Sequence, residues 1–432
     1  MRRALLVPSI AVVVLLGLAS HLLAASEASV DVVKVQGVID PSLASYVRGS
    51  IRAAERAGAT VILQIDSRGS YDARAEELGR VIREATVPVV AWVGPTGARA
   101  AGGALFLVYS SNLVAVAPGA GIGPGRPFDL ARRAPAERRA DVQAGEAALL
   151  SLAQGAGATP GGVRRAVSGP SLAAGPAVGA GAASLIASDV IDLLRKLDGR
   201  SLATEEGTVT LRTANAQNQR VEVRFHEIGL VPRVLHAVST PTALYVLLVL
   251  GLWLIAFELT QPGFGVAGIG GALGLALAGY GLAVVPVGWP GLALIVAGIG
   301  LQGLDVLVRR LAWLTLAGTA AFVAGSVLAW RGVAPAVDLP VWLIVVLTIA
   351  GAVFFGFGMT VAIRSRERVR TAQVGLVGLV GEARGDLNPE GAVFVKGTLW
   401  RARSSNGPIP KGRRIRVRGI EGLILRVEEE PD

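Results

Sequence analysis

The 432-residue sequence contains no cysteine. That excludes a disulfide framework, a thiol nucleophile and a cysteine-held metal. Histidine is limited to His21, His226 and His236, too few for a histidine metal cluster. No metal and no cofactor is expected. Lysine is scarce as well: Lys34, Lys196, Lys396 and Lys411 are the only four among 42 basic residues. Charge of either sign is nearly missing from Pro241 to Ile363, which holds only Glu258, Asp305, Arg309, Arg310, Arg331 and Asp338. A helix needs about 20 apolar residues to cross the hydrocarbon core. Charges and Gly/Pro breaks divide the block into about five such spans, near 241–257, 267–287, 289–308, 311–330 and 340–363. In lipid each backbone polar group needs an internal partner, so these runs are read as helices. A buried core in a soluble protein is the weaker reading, because soluble helices keep a polar face.

The net charge is +10. Arginine-rich loops holding the chain at an anionic leaflet account for it better than nucleic-acid binding, so no nucleic-acid partner is expected. Arg2 and Arg3 precede an apolar run and the small residues Ala24, Ala25 and Ser26. Residues 1–26 therefore read as a signal peptide or N-terminal anchor. With the next domain outside, five crossings bring Arg309–Arg310 and the cluster Arg364, Arg366, Arg368 and Arg370 to the inner side, as the positive-inside rule requires. The expected location is the inner cell membrane, multi-pass, with residues 30–235 extracytoplasmic and the C-terminal domain cytoplasmic.

Residues 30–235 alternate strand and helix patterns. Val30–Val35, Thr60–Asp66, Val87–Val93 and Leu113–Ala117 are short apolar runs suited to buried strands. Ser42–Ala57 and Asp72–Ala85 have helical periodicity between them, which predicts a parallel-rich α/β domain. Leu185–Leu197 reads as a helix, and Thr208–Leu211 with Val221–Phe225 as a late hairpin. The transmembrane block is assigned to 239–363. In residues 372–430, five or so short strands separated by Gly/Pro/Asn turns predict a small all-β barrel.

Three stretches together resemble the NfeD family in its long form. They are Val35-Gln-Gly-Val-Ile-Asp-Pro41 leading to Ile62-Leu-Gln-Ile-Asp-Ser-Arg-Gly69; Val89-Val-Ala-Trp-Val-Gly-Pro-Thr-Gly-Ala-Arg-Ala-Ala101 with Ala117-Pro-Gly-Ala-Gly-Ile-Gly123; and Gly385-Asp-Leu-Asn-Pro-Glu-Gly391 through Trp400-Arg-Ala-Arg403 to Gly412. Glu258-Leu-Thr-Gln-Pro-Gly-Phe-Gly265 resembles the family's loop after the first membrane helix. The resemblance implies a crotonase/ClpP-like α/β domain, shared with signal peptide peptidase A, followed by the membrane helices and an OB-fold barrel. It further implies a serine protease with a Ser/Lys dyad, a stomatin-like membrane protein as partner, peptide or protein as substrate, and a capacity for homo-oligomers.

This sequence departs from that pattern at three chemical roles. The family nucleophile follows a Gly-Ala-Arg-Ala-Ala stretch, here Gly97–Ala101, and the next residue is Gly102. Aligning the helix end Ser151-Leu-Ala153 puts Ala140 at the base, beside Arg138 and Arg139, and no lysine occurs from Val35 to Arg195. Arginine does not substitute, since its pKa lies above about 12. At the oxyanion-type loop, expected to be Arg68, Gly69, Ser70 and Gly103, the family's Asp-Thr-Pro-Gly-Gly reads Asp66-Ser-Arg-Gly-Ser70. The domain is read as a protease fold without its dyad. The rivals are an active serine endopeptidase using Ser70, Ser110 or Ser111, and an ion path through Glu258 or Asp305. Asp66 is expected to bond loop N–H groups, and Gly119–Gly125 to form a tight turn after a strand.

Overall fold

The structure is a computed structural model and describes residues 29–131, 139–213, 221–260, 265–308, 313–331, 339–358 and 375–431. The expected export segment and both inner arginine clusters lie outside the described residues.

The α/β domain begins with β1 (Ser29–Val38) and α1 (Pro41–Ala57). Asp40 starts α1 by accepting the Leu43 N–H at 2.8 Å, and Pro41 fills the first turn. Leu43, Val47, Ile51 and Ala54 form its buried stripe. The chain continues through β2 (Thr60–Gly69), α2 (Arg74–Arg83), β3 (Val89–Val93), β4 (Arg99–Ala100) and α3 (Ala104–Ser110). There follow β5 (Leu113–Val116), β6 (Gly121–Ile122), α4 (Arg139–Leu152), α5 (Pro160–Ser168), β7 (Leu172–Ala173), α6 (Ala174–Gly179), β8 (Leu185–Ile186) and α7 (Val190–Leu197). The domain closes with β9 (Ser201–Thr204), β10 (Gly207–Thr210), β11 (Glu222–His226) and α8 (Leu230–Val238).

The main sheet runs β11-β1-β2-β3-β5-β8, every pair parallel. β3 and β5 are fully apolar, as strands of a covered parallel sheet are, and all of their residues are buried. β2 is long enough to serve a second, small sheet. Ser67 near its end pairs with Ala100 of β4, which continues to β6 and β7. The two sheets therefore part at Ser67–Gly69, near the end of β2.

Two local expectations are corrected. Leu185–Ile186 is a strand, and the helix starts at Val190, where Asp189 caps it. Thr208–Leu211 does not pair with Val221–Phe225. β10 turns back on β9, while β11 extends the main sheet beside β1, where Arg224 meets the buried Asp31 at 2.7 Å.

Apolar helices α9 (Pro241–Thr260), α10 (Val266–Val284), α11 (Trp289–Val308) and α12 (Trp313–Trp330) follow. All four are long and apolar enough to cross a membrane. The fifth, α13 (Val341–Val353), continues as a π-helical turn, Phe354–Gly358, and is shorter. The chain forms two compact units. One holds the described residues to Ile255 with Gly265–Val296 and Ala321–Val345; the second holds the described parts of Ala256–Phe264, Ala297–Ala320 and Val346–Asp432. In the first unit, a side-chain carbon at Gly291 of α11 would lie 2.1 Å from the Ala329 nitrogen of α12. Such contact needs glycine, as helix crossings in lipid do. Tyr245 and Ser326 share a 2.6 Å hydrogen bond in the same unit.

The second unit contains a closed barrel of β12 (Val380–Ala383), β13 (Glu390–Val395), β14 (Thr398–Ser404), β15 (Arg414–Glu421) and β16 (Ile424–Glu429). The order is β12-β13-β14-β16-β15, closed by β12 with β15, and β14 with β16 is its parallel pair. This is the expected five-stranded OB-fold barrel, built around Val393, Val395, Ile415, Val417, Leu425 and Val427.

Candidate functional site

Arg68, Gly69, Ser70, Gly102 and Gly103, far apart in sequence, come together where the two sheets part. Gly69 has φ +107°, and a side-chain carbon there would sit 2.8 Å from the Gly103 nitrogen. Gly102 has φ +56°; a carbon added to it would lie 2.4 Å from the Arg68 carbonyl oxygen and 2.7 Å from that of Pro127. Gly102, where the family resemblance places the nucleophile, thus combines a left-handed backbone with two carbonyls closing over the place a side chain would occupy. Gly102 itself donates to the Pro124 carbonyl at 2.8 Å, and α3 starts at the next turn.

Ser70 is fully buried. Its hydroxyl donates to the Asp72 carbonyl and accepts the Ala75 N–H at 3.1 Å, so it serves the start of α2. Ser110 ends α3 and Ser111 caps it, both buried. The Ser111 hydroxyl faces the Val108 and Leu113 carbonyls at 2.6 and 3.1 Å. Asp66 accepts the Arg99 N–H at 3.0 Å, as a strand-end carboxylate should. Gly119–Gly125 does turn after β5, and it also supplies β6, which the sequence pattern did not reveal. Tyr71 buries its hydroxyl without a partner among the described residues, and burial pushes its pKa up to about 12.

Ala140 lies exposed in the first turn of α4, with Arg139 exposed beside it; Arg138 lies outside the described residues. Further along, α4 forms one wall of a cavity of about 270 Å³ lined by Asp72, Glu76, Phe106, Phe128, Asp129 and Asp141, among others. The Phe106 and Phe128 rings meet at 5.8 Å, and the Phe128 carbonyl closes over Gly103. The Pro127–Phe128 segment was not singled out in the sequence. A lone Pro-Phe pair carries no periodic or motif signal, and its importance comes from where the fold lays it.

Outside the α/β domain, Asp305 lies in the last turn of α11. It is buried, with one oxygen accepting from Thr315 Oγ1 at 2.6 Å and the other without a partner among the described residues. Glu258 is half-buried. Among the described residues no group of acidic and histidine side chains is arranged to hold a metal. The barrel's basic residues are largely matched by glutamates: Arg401 and Arg403 with Glu390, Arg413 with Glu429, Arg416 with Glu430, and Arg418 with Glu428. Arg384 sits 5.5 Å over the Phe394 ring.

Comparison with known proteins covers the whole chain. Residues 242–361 match the NfeD integral membrane domain, and residues 374–429 match the NfeD-like C-terminal, partner-binding domain. The membrane-bound protease PH1510 of Pyrococcus horikoshii is 30% identical over 450 residues, covering 100% of this chain and 98% of the relative. Among solved structures, a lysine-to-alanine mutant of the P. horikoshii 1510-N membrane-bound stomatin-specific protease, in complex with a substrate peptide, is 25% identical with a TM-score of 0.44. It covers 49% of this chain and 97% of that one. ClpP1 from Listeria monocytogenes is 16% identical with a TM-score of 0.29, covering 40% and 99%. The chain belongs to the NfeD family in its long form, a multi-pass membrane protein that joins a ClpP-like α/β domain to a C-terminal β-barrel.

Proposed function

We propose that this protein is a membrane-anchored scaffold whose ClpP-like domain holds peptide without cutting it. The observation that carries the reading is the glycine at position 102. It offers no nucleophilic atom, and its backbone leaves no space for one beneath the Arg68 and Pro127 carbonyls. The base position supports the same reading, since Ala140 carries no titratable group. Acyl transfer by a serine needs a base to take the hydroxyl proton, while binding uses other groups and survives the loss. Stomatin-like membrane proteins are the partner class this reading takes from the relatives, with the barrel as the contacting domain. The α/β domain faces the extracytoplasmic side and the barrel the cytoplasm, in keeping with the arginine clusters after the third and fifth spans.

One observation favours a second reading: the full-length relative is a membrane-bound protease. The test therefore uses the purified full chain with a serine-directed fluorophosphonate and a broad peptide library. Under the scaffold reading the parent chain is neither labelled nor active, yet retains peptides in an equilibrium binding assay. Labelling abolished by Ser70→Ala, Ser110→Ala or Ser111→Ala would replace the scaffold with an endopeptidase.

A further inference from the structure

The α/β domain leaves its sheet through α8, two residues before α9 begins, and the outer face of α8 is apolar. Leu230, Val231 and Val234 are 76%, 67% and 40% exposed, and Phe225 just before the helix is 59% exposed. At helical spacing the three α8 residues share one stripe. The opposite side is tied down: His236 meets Asp40 at 2.6 Å and the Gln36 carbonyl at 3.0 Å, holding α8 against the start of α1. In the first turn of α1, Ser42 shares a 3.0 Å hydrogen bond with Tyr280 of the apolar helix α10. Tyrosine near the end of a membrane helix marks the headgroup level, so Tyr280, Ser42 and α8 lie at one depth. Beside α8 is a cavity of about 460 Å³ whose lining includes Lys34, Tyr46, His226, Glu227, Arg233 and His236. Glu227 holds Arg233 at 3.1 Å, and Lys34 stands exposed on β1.

From this arrangement we propose that α8 is an interfacial helix. Its Leu230–Val231–Val234 stripe rests in the boundary between headgroups and acyl chains, and the adjoining cavity takes the phosphate of an anionic phospholipid beside Lys34 and Arg233. Such a helix buries an apolar face in the interface and gains further from anionic lipid. Continuity with α9 commits the stripe to lipid, because the chain enters the bilayer directly from the end of α8.

The absence of native cysteine makes the test direct. Val231→Cys, Val234→Cys and, as a control on the exposed β9–β10 turn, Glu205→Cys each carry a nitroxide in the full chain reconstituted in nanodiscs. The expected result is that labels at 231 and 234 collide readily with oxygen and are shielded from a water-soluble nickel chelate, with the reverse at 205. Replacing part of the phosphatidylcholine by phosphatidylglycerol should raise Tm, and the Lys34→Gln/Arg233→Gln variant should lose that rise while keeping the parent Tm in phosphatidylcholine. Nickel access at 231 and 234 equal to that at 205 overturns the interfacial helix. A phosphatidylglycerol effect untouched by the double variant, or one reproduced by inorganic phosphate in phosphatidylcholine discs, overturns the headgroup site.

Discussion

Gly102 offers no side-chain oxygen, and the Arg68 and Pro127 carbonyls lie over the place a side chain would occupy; the scaffold reading rests on both features. Placing serine there forces a left-handed L-residue and a contact of 2.4 Å with the Arg68 oxygen. Gly102→Ser is therefore expected to destabilise the fold by about 1–3 kcal/mol, read as a lower Tm of the purified chain, with no peptidase activity gained. Ser70 is the opposite case, a hydroxyl whose bonds are structural. Ser70→Ala leaves the Ala75 N–H unpaired in a buried position, expected to cost about 1–3 kcal/mol. His236 makes the third residue-level case. Its hydrogen bond to Asp40 raises the imidazole's proton affinity, overcoming the opposing effect of burial, with Lys34, Glu227, Arg233 and His226 around the adjoining cavity. A raised folded pKa stabilises fully below the ordinary value near 6.5 and fades as pH rises through the raised one. Going from about pH 5.5 to about pH 9 should thus lower the parent's Tm by more than that of His236→Gln. Equal slopes would remove the ion pair from the account.

Elements were legible where a pattern repeats. The mainly apolar runs at Thr60–Asp66 and Val87–Val93 and the stripe of Ser42–Ala57 became β2, β3 and α1 with ends shifted by a few residues. Two-residue strands were not legible: β4, β6, β7 and β8 are fixed by their neighbours, and no two residues carry a period. Candidate site positions Gly69, Gly102 and Gly103 could be named from the family likeness, but the carbonyls of Pro127 and Phe128 over them follow from tertiary placement alone. Membrane helices show the same division. Their existence follows from the scarcity of charge, their pairing from glycines whose partners sequence does not name. Gly291 of α11 lies against Ala329 of α12. Gly291→Leu should push the two helices apart and lower resistance to denaturant in detergent by about 1–3 kcal/mol. At Gly300, where nothing lies within 4 Å, the same change should have little effect. Comparable losses at both positions would mean that the close crossing contributes nothing.

At the scale of the molecule, the membrane block joins a ClpP-like α/β domain to a barrel that matches the NfeD-like C-terminal, partner-binding domain. Which face of the bilayer each occupies decides whether the protein can relate events on one side to a partner on the other. An odd number of crossings separates them and an even number does not. Four described helices meet the length for a span, and the fifth, α13, is shorter, so the crossing count turns on α13. The arginine distribution, with Arg309–Arg310 after three spans and Arg364–Arg370 after the last, is the one that the five crossings of the proposed topology predict. Glu205→Cys in the β9–β10 turn and Asn406→Cys in the barrel, both exposed, report the outcome without background, since the chain has no other thiol. With five crossings, a membrane-impermeant maleimide applied to intact cells labels the cysteine at 205, and the one at 406 reacts only after permeabilisation. Labelling of both before permeabilisation, or of neither, would place the two domains on one side. The helix α13 would then be a re-entrant or surface element, and a scaffold reaching through the bilayer would be the wrong description.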